Sequence, residues 1–326
     1  MISINSNTKK PSLSPFIRGS LYSMLAAIIY GLSYVFTKNI SNYYSPMTII
    51  GWRFLVAFIV MELMRRFGII RVDYRGKDIR ALLRLVFLYP VIYFIAETFG
   101  IRLTTASESG IVIATIPVAT LALSAIILKE KPTLYQMIGI GTSTVGIFLI
   151  VLSQSLSASL HIVGYLALIT AVFAYALFAV RLIQETTFST LEKTYTMMAV
   201  AAGVFFPMAL IEHSLGGSLG LFLSLPFRDM AFLGTLAYLA LGSSVIAFFA
   251  SNRALELLGP NQSSTWGGVS TIITLSASVL ILKEPFGIGQ ILAAALVVGG
   301  VYIANVGIMR QERRKALAEQ TIEPKI

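Results

Sequence analysis

Ile127-Leu128-Lys129-Glu130 is repeated 154 positions later as Ile281-Leu282-Lys283-Glu284. The match extends without a gap from residues 92–149 to residues 246–303. It also includes Gln136 with Gln290 and Gly146 with Gly300. Leu and Ile identities carry little information in such an apolar chain, whereas matched Lys, Glu, Gln and Gly positions carry more. The sequence is therefore predicted to hold two copies of one unit.

The first helix of each copy matches at a shorter spacing of 145 residues. The matching positions include Gly19 with Gly164 and Tyr30 with Tyr175. The change from 145 to 154 predicts extra chain in the second copy, most easily placed around Gly216–Leu225. The two repeats are predicted to cover residues 1–155 and 156–326 and to pack as one body.

The composition is that of a membrane protein. Of the 326 residues, 56% are hydrophobic and only 12% are charged, and the mean hydropathy is +0.81. A soluble domain carries about 25% charged residues. The apolar residues occur in runs of about twenty, the length that an α-helix needs to cross the hydrocarbon core. Cysteine is absent, so disulfides and thiolate metal sites are excluded.

Ten apolar runs between charged or turn-rich breaks predict an all-α fold with ten transmembrane helices. The predicted spans are residues 17–37, 46–66, 82–101, 107–128, 133–152, 161–181, 191–212, 230–250, 261–282 and 286–308. Each repeat then holds five helices. A unit with an odd number of spans crosses the bilayer in opposite directions in its two copies. The repeats are therefore predicted to be inverted, as in alternating-access carriers.

The distribution of Lys and Arg predicts the direction of insertion. With a cytoplasmic N-terminus, twenty basic residues lie inside, Arg53 lies within a span, and four lie outside. Cytoplasmic loops are enriched in Lys and Arg, so both termini are predicted to be cytoplasmic. The net charge of +10 is explained by a basic rim that faces anionic lipid headgroups, and nucleic acid is not a predicted partner.

The duplicated features resemble the EamA family of the drug/metabolite transporter superfamily. The resembling segments are Tyr30-Gly31-Leu32-Ser33-Tyr34-Val35, Thr105-Ala106-Ser107, Leu128-Lys129-Glu130, Ala254-Leu255 and Leu282-Lys283-Glu284. The resemblance covers nearly the whole chain except the tails. It implies a ten-helix carrier whose central cavity is lined largely by helices 1, 3, 4, 6, 8 and 9. It also implies transport of amino acids or other small metabolites.

Two charged residues within predicted spans are candidates for function. Arg53 and Glu97 are predicted to lie roughly 7–11 Å below the outer surface, at 1.5 Å per helical residue. Charges inside a membrane are costly and mark functional sites or pair with one another. Glu97 is predicted to bind a substrate ammonium or a coupling proton, with Arg53 tuning it. A purely structural Arg53–Glu97 ion pair is the alternative.

Four tyrosines are predicted to bind substrate. Tyr30 and Tyr34 lie one turn apart on the first span, Tyr93 lies one turn before Glu97, and Tyr175 repeats the position of Tyr30. A tyrosine offers an apolar face together with a hydroxyl, which suits amphipathic solutes. Ordinary helix packing is the alternative for these side chains.

Other polar and aromatic residues are given lesser roles. Ser244 and Ser270 are predicted to add hydrogen bonds to the substrate, although such hydroxyls also bond back to their own helix. Glu108 is expected to complement the dipole of the fourth helix from its first turn. Trp52 and Trp266, near span ends, are expected at the membrane interface.

Helices five and ten carry small residues at four-residue spacing. The pairs are Gly139 with Ser143, Thr142 with Gly146, and Ala295 with Gly299. This is the close-packing pattern of membrane helices. It predicts a scaffold, or a dimer contact, so that a monomer and a homodimer both remain open.

An intramembrane enzyme or a receptor-like scaffold is the alternative class. An enzyme requires a nucleophile–base pair or clustered acids. The chain has two isolated histidines, His161 and His213, and its intramembrane acids are scattered singly. No Walker motif is present, so nucleotide hydrolysis is not predicted. Catalytic residues, a metal site and a cofactor are likewise not predicted.

The predicted function is therefore secondary transport by alternating access. The substrate is predicted to be a small metabolite, most readily an amino acid or a related amphipathic solute. Within carriers, nucleotide-sugar and drug transport remain alternatives. We expect an integral protein of a bacterial or archaeal plasma (inner) membrane, whose partners are the lipid bilayer and the small-molecule substrate.

Overall fold

A computed structural model describes residues 14–127, 133–153, 159–264, 266–284, 287–303 and 306. Within these ranges the regular structure is helical and contains no β-strand, which confirms the all-α class. Seven of the described helices are long and apolar enough to cross a membrane. The chain is thus an integral membrane protein, while the count of ten spans stays a prediction.

The helices are numbered here in chain order. They are α1 Pro15–Ser41, α2 Pro46–Arg66, α3 Ile79–Leu103, α4 Ala106–Ile127, α5 Leu134–Ser153, α6 Ser159–Leu182, α7 Thr190–Leu215, α8 Met230–Pro260, α9 Gly267–Ile281 and α10 Ile288–Ile303. A further short helix, Leu219–Arg228, lies between α7 and α8. It falls where the sequence predicts extra chain in the second copy.

The starts of α2 and α4 have side-chain caps whose residue types are recognisable in the sequence. Before α2, Ser45 Oγ accepts from the backbone N–H of Thr48 at 3.1 Å, and Pro46 occupies the first helical position. Before α4, Thr105 Oγ1 accepts from the N–H of Glu108 at 3.1 Å, and Glu108 Oε2 accepts from the N–H of Thr105 at 3.0 Å. This capping box confirms the first-turn role predicted for Glu108.

Two helices contain wide, π-type turns at positions about 154 residues apart. In α3 the turn spans Phe87–Ile92, where Tyr89 has φ −141° and ψ 109° and Pro90 has no N–H to donate. In α8 the turn spans Tyr238–Ala247. The predicted span of residues 82–101 lies within α3, and Pro90 removes one hydrogen bond from its ladder. Wide turns of this kind are frequent at functional sites.

The eighth helix is longer than the sequence indicated. It was predicted to end at residue 250, but α8 continues to Pro260. Ala254 and Leu255 extend its buried face beyond the predicted end. The chain then turns at Gly259, whose φ of 76° lies in the region that favours glycine. Helical residues continue beyond this kink to Ser264, and α9 begins at Gly267.

The helices around the interior approach one another closely. α1 packs on α8 and α9, while α6 packs on α3 and α4. A Cβ atom at Gly19 of α1 would lie 2.6 Å from Leu258 Cγ of α8. A Cβ atom at Gly164 of α6 would lie 2.9 Å from Leu103 Cβ of α3. Glycine thus lets each pair of backbones come together, and the two pairs enclose the interior between them.

α5 and α10 pack against each other through glycine. A Cβ atom at Gly300 would lie 2.6 Å from the carbonyl oxygen of Gly139, and one at Gly146 would touch the α10 backbone at 3.0 Å. Ser143 Oγ donates across the same contact at 3.2 Å. The predicted close packing is thereby confirmed for these residues. Gly299 faces open space, so it takes no part in this contact, and its place in a dimer contact stays a prediction.

Large apolar side chains remain exposed on the outer faces of the helices. Examples are Leu21, Phe87, Phe173, Ile211 and Leu292. Soluble proteins rarely expose apolar surface on this scale, whereas lipid chains cover it without cost.

Candidate functional site

A cavity lies among α1, α2, α3, α4, α6, α8 and α9, each of which contributes lining residues. Two names define its ends. At the Thr104 end, α1 and α3 stop and α4 begins; at the Ser23 end, α1 begins. The cavity runs from Glu97, on the last part of α3, to Ser23 and Ser263 at the Ser23 end. It therefore extends along the bundle towards one end.

The four predicted tyrosines all line this cavity, although their role in binding a substrate stays a prediction. Between them lies Tyr89, which the sequence analysis did not single out. Its hydroxyl lies 3.4 Å from that of Tyr30, and its ring meets the ring of Tyr175 edge-on, with centroids 5.0 Å apart. The available signal was its place one turn before Tyr93, on the same helix face.

Glu97 reaches the cavity from α3 and is 7% exposed. The Tyr93 hydroxyl donates to Glu97 Oε1 at 2.7 Å, and the Tyr34 hydroxyl lies 3.2 Å from that of Tyr93. Because Tyr93 has one proton and directs it to Glu97, Tyr34 donates to Tyr93. This chain of two hydroxyls stabilises the carboxylate and fixes its direction.

Arg53 reaches the same cavity from α2 and is 3% exposed. Its Nε donates to Ser244 Oγ and its Nη2 donates to Ser243 Oγ, both at 2.8 Å. The guanidinium carbon lies 4.5 Å from the centroid of the Phe94 ring. A desolvated cation–π contact of this kind contributes about 2 kcal/mol.

Ser244 does not have the predicted role. Its side chain is fully buried, accepts the Nε–H of Arg53, and is not among the residues that line the cavity. The wide turn of α8 directs Ser243 and Ser244 to one guanidinium. Ser244 therefore positions Arg53 and does not face the cavity.

Arg53 and Glu97 form no direct ion pair, since every described ion pair involves other residues. The pair considered from the sequence was therefore wrong. The two serines on α8 accept hydrogen bonds from the guanidinium of Arg53. The Tyr93 hydroxyl donates a hydrogen bond to the carboxylate of Glu97. Two opposite charges consequently face one cavity, each held by neutral groups. A buried charge without an ionic partner is costly.

Ser270 and Trp266 complete the part of the cavity that belongs to α9. Ser270 lines the cavity, and its carbonyl accepts from the Thr274 hydroxyl at 3.0 Å. Trp266 lines the cavity as well, where the chain turns into α9, and its position at the membrane interface stays a prediction. Trp52 lies elsewhere, where its Nε1 donates to the carbonyl of Phe222 at 3.2 Å.

The Thr104 end is held by polar contacts that the sequence analysis missed. Lys38 Nζ donates to carbonyl oxygens at the end of α3, among them that of Thr104. Glu284 accepts from the backbone N–H groups of Ala106 at 2.8 Å and Ser107 at 3.0 Å. The signal for Glu284 is its place in the repeated Ile-Leu-Lys-Glu motif.

No three His, Asp or Glu side chains lie close enough to hold a metal within the described part of the chain. His213 bonds to the Thr48 hydroxyl and to the Ser218 hydroxyl, both at 2.7 Å. The side chain of His161 lies outside the described residues.

Apolar helices around a cavity with two opposite, separately held charges define an integral membrane protein with an internal polar site. Residues 17–152 and 162–306 each match the model of the EamA-like transporter family. Together these ranges cover most of the chain, and the protein belongs to this family.

Similar proteins are named as transporters. The uncharacterized transporter YcxC of Bacillus subtilis (strain 168) is 32% identical over 301 residues, which cover 90% of this chain and 96% of that protein. The probable amino-acid metabolite efflux pump of Escherichia coli (strain K12) is 23% identical over 296 residues, covering 89% and 96%. A crystal structure of a protein with 16% identity superposes with a TM-score of 0.61 and covers 88% of this chain and 97% of its own, which shows a shared fold.

Proposed function

We propose that this protein is a secondary transporter that moves a small zwitterionic or cationic metabolite, most readily an amino acid, by alternating access. The observation that carries the proposal is the presence of Arg53 and Glu97 in one cavity without an ion pair between them. The carboxylate of an amino acid would bind Arg53, and its ammonium group would bind Glu97. Its side chain would meet the aromatic wall around Tyr89. The efflux-pump name of a 23% identical relative agrees with this substrate class.

The proposal includes ten spans in two inverted repeats, covering residues 1–155 and 156–326. Reciprocal contacts support it. Gly19 approaches Leu258, and Gly164, its counterpart 145 residues later, approaches Thr104, the residue 154 positions before Leu258. A twofold axis produces such exchanged pairs.

The contact between α5 and α10 supplies a second exchanged pair. Gly300 approaches Ser143, and Gly146 approaches Val297. Val297 lies 154 positions after Ser143, and Gly300 lies 154 positions after Gly146. Inverted repeats are related by a twofold axis in the membrane plane. A contact between two equivalent helices, such as α5 and α10, would lie on that axis.

We place both termini in the cytoplasm of a bacterial or archaeal cell, with the protein in the plasma membrane. The Ser23 end is then cytoplasmic, where the exposed Arg65, Arg66 and Arg181 face anionic headgroups. Lipid and a small solute are the proposed partners, nucleic acid is not, and a monomer and a homodimer both remain compatible with this function.

Reconstituted flux tests the proposal. The purified chain in proteoliposomes is offered labelled neutral, cationic and acidic amino acids, a nucleotide sugar and a lipophilic drug. We expect zwitterionic or cationic amino acids to cross. Glu97→Gln should lower their flux about tenfold or more, because a hydrogen bond to a charged group contributes about 1.5–3 kcal/mol. Glu212→Gln, at an exposed position near the end of α7, is the matched control and should leave flux unchanged.

Three outcomes count against the proposal. Transport of nucleotide sugars or drugs alone would remove the substrate class. A chemical product without translocation would favour an intramembrane enzyme. Undiminished flux in Glu97→Gln would remove Glu97 from the mechanism.

A further inference from the structure

Two hydroxyls on α4 lack hydrogen-bond partners although they are buried. Thr120 is 0% and Ser124 is 1% exposed, and they lie one turn apart on one face of the helix. Among the described residues, only the side-chain oxygens of these two and of Tyr165 are buried without a partner. Buried polar groups are nearly always paired, so two neighbouring exceptions require an explanation.

The corresponding residues of the second copy are fully paired. Thr274 and Ser278 of α9 follow Thr120 and Ser124 by 154 positions and have the same side chains. The Thr274 hydroxyl shares its proton between the carbonyl of Gly31 on α1, at 2.9 Å, and that of Ser270 in its own helix, at 3.0 Å. The Ser278 hydroxyl lies 2.5 Å from that of Ser107 on α4. The same pair of hydroxyls is thus joined to neighbouring helices in one half and unjoined in the other.

The paired set lies at the closed Thr104 end. Ser107 also donates its hydroxyl to Glu284 Oε2 at 2.9 Å, and that carboxylate caps the start of α4. α1, α4 and α9 are therefore fastened together there. We call this set, which consists of Gly31, Ser107, Thr274, Ser278 and Glu284, the first latch.

The described contact between the two cavity-lining serines at the Ser23 end is a long one. The cavity reaches Ser23 and Ser263 there, and their hydroxyls are 3.3 Å apart. Thr120 and Ser124 lie on the half of α4 that runs towards this end, because α4 begins at the Thr104 end. The unpaired hydroxyls and the cavity mouth thus belong to the same half of the bundle.

We infer that Thr120 and Ser124 belong to a second latch, which forms when the Ser23 end closes and the first latch opens. In that state the Thr120 hydroxyl donates to the carbonyl of Ala176 on α6, the counterpart of Gly31 at the 145-residue offset. The inference rests on the proposed alternating access and adds which hydroxyls hold each closed end. The unpaired hydroxyls of one state are the paired hydroxyls of the other.

The two latches are not equally close-fitting. At Gly31 a Cβ atom would lie 2.7 Å from the carbonyl oxygen of Ser270, so α1 and α9 meet closely because that position has no side chain. Ala176 brings a methyl group to the counterpart position. The first latch therefore fits more tightly, which favours the state closed at the Thr104 end.

Accessibility of a cavity cysteine tests the inference without a substrate. The chain has no cysteine, so Ala27→Cys on the cavity wall is a single reporter for a membrane-impermeant maleimide. Thr274→Val with Ser278→Ala weakens the first latch and should slow labelling from the Ser23 end about fivefold, the effect of losing about one hydrogen bond. Thr120→Val with Ser124→Ala should leave that labelling unchanged or faster.

Stability and turnover give the second readout. Thr120→Val with Ser124→Ala removes hydroxyls that are unpaired, so Tm should not fall, yet turnover should drop because the opposite state loses its latch. Thr274→Val with Ser278→Ala should lower Tm. Thr142→Val is the control for both double variants, since the Thr142 hydroxyl donates to the carbonyl of Ile138 in its own helix.

The inference is overturned if both double variants shift labelling in the same direction. It is equally overturned if Thr120→Val with Ser124→Ala keeps full turnover, as it would if water paired those hydroxyls in both states. Absence of flux in the unmodified chain, by contrast, contradicts the proposed function, and the labelling comparison is measured regardless.

Discussion

Arg53 is a cation whose environment suits a guanidinium and not an ammonium. Two of its nitrogens donate to Ser243 and Ser244, and its flat face lies over Phe94. A lysine ammonium is a compact, strongly hydrated charge that cannot reproduce this fork or this stacking. The geometry therefore keeps a permanent positive charge in place beside the cavity without neutralising it.

Arg53→Lys is expected to lower transport about tenfold or more, although it keeps the charge, because at least one charge-assisted hydrogen bond and the ring contact are lost. Flux in proteoliposomes at matched protein amounts measures the effect. Arg228→Lys, at an exposed residue, is the matched control. Equal flux in the two variants would mean that the fork around Arg53 has no part in recognition.

At the residue scale, the predicted depth of Arg53 and Glu97 stays a prediction, and their predicted ion pair was wrong. Helical rise alone indicated that Arg53 and Glu97 lie at one level, and both line the cavity. The hydrogen-bond partners of these two residues could not be predicted from the sequence, because the serines that bind Arg53 are about 190 positions away. They are directed to it by a wide turn of α8 that contains Gly242 but no proline, and a single glycine in an apolar run does not predict such a turn.

At the scale of elements, the start of α8 depends on a charged cap. Asp229 Oδ1 accepts from the N–H groups of Ala231 and Phe232, each at 2.9 Å, and the Tyr44 hydroxyl donates to Oδ2. The Tyr44 hydrogen bond and then the backbone N–H of Phe232 hold the pKa of the Asp229 carboxyl below its usual range. The same contact raises the pKa of Tyr44 to about 12.

This cap predicts a pH dependence of stability. A carboxyl whose folded pKa is lowered stabilises the fold above its unfolded pKa of about 3.9, and that contribution is lost as the pH falls through the lower folded value. Tm measured from pH 7 down to pH 3 should therefore fall less steeply in Asp229→Asn than in the unmodified chain. Asparagine still caps a helix but lacks the charge, so Asp229→Asn should have the lower Tm at pH 7 and the two curves should converge towards pH 3. Parallel curves would show that Asp229 titrates normally.

The packing of α5 on α10 provides a matched pair of adjacent glycines. Gly300→Ala would place a methyl group 2.6 Å from the Gly139 carbonyl oxygen, whereas Gly299→Ala meets open space. Overpacking costs about 1–3 kcal/mol, so Tm of Gly300→Ala should fall by about 5 °C while that of Gly299→Ala stays unchanged. Equal Tm values would indicate that the two helices are not in contact.

Element boundaries were predictable where a local signal exists. Ser45 with Pro46 marks the start of α2, and the capping box of Thr105 with Glu108 marks the start of α4. The break in α3 at Pro90 was missed because the surrounding run is uniformly apolar. The extension of α8 was missed because Arg253 and Glu256 look like a membrane boundary, although Glu256 pairs with Lys193 of α7.

At the scale of the whole molecule, the two repeats have matching side chains but different contacts. The repeated side chains on α4 and α9 define equivalent positions, and only contacts between helices distinguish them. Thr274 is paired and Thr120 is not. An alignment of the two halves cannot contain this difference, because it is a property of one conformation and not of the chain.

The repeats themselves lead to a prediction about faces. Tyr43, 80% exposed, follows α1, and Thr186, also exposed, follows α6, its counterpart. If each repeat has five spans, these equivalent loops lie on opposite sides of the membrane. In intact cells an impermeant maleimide should label Tyr43→Cys, and it should label Thr186→Cys only after permeabilisation. Phe67→Cys, in the loop after α2, should behave like Thr186→Cys. Labelling of the Tyr43 and Thr186 variants from the same face would require parallel repeats, and the exchanged contacts of α5 with α10 would then have no symmetry origin.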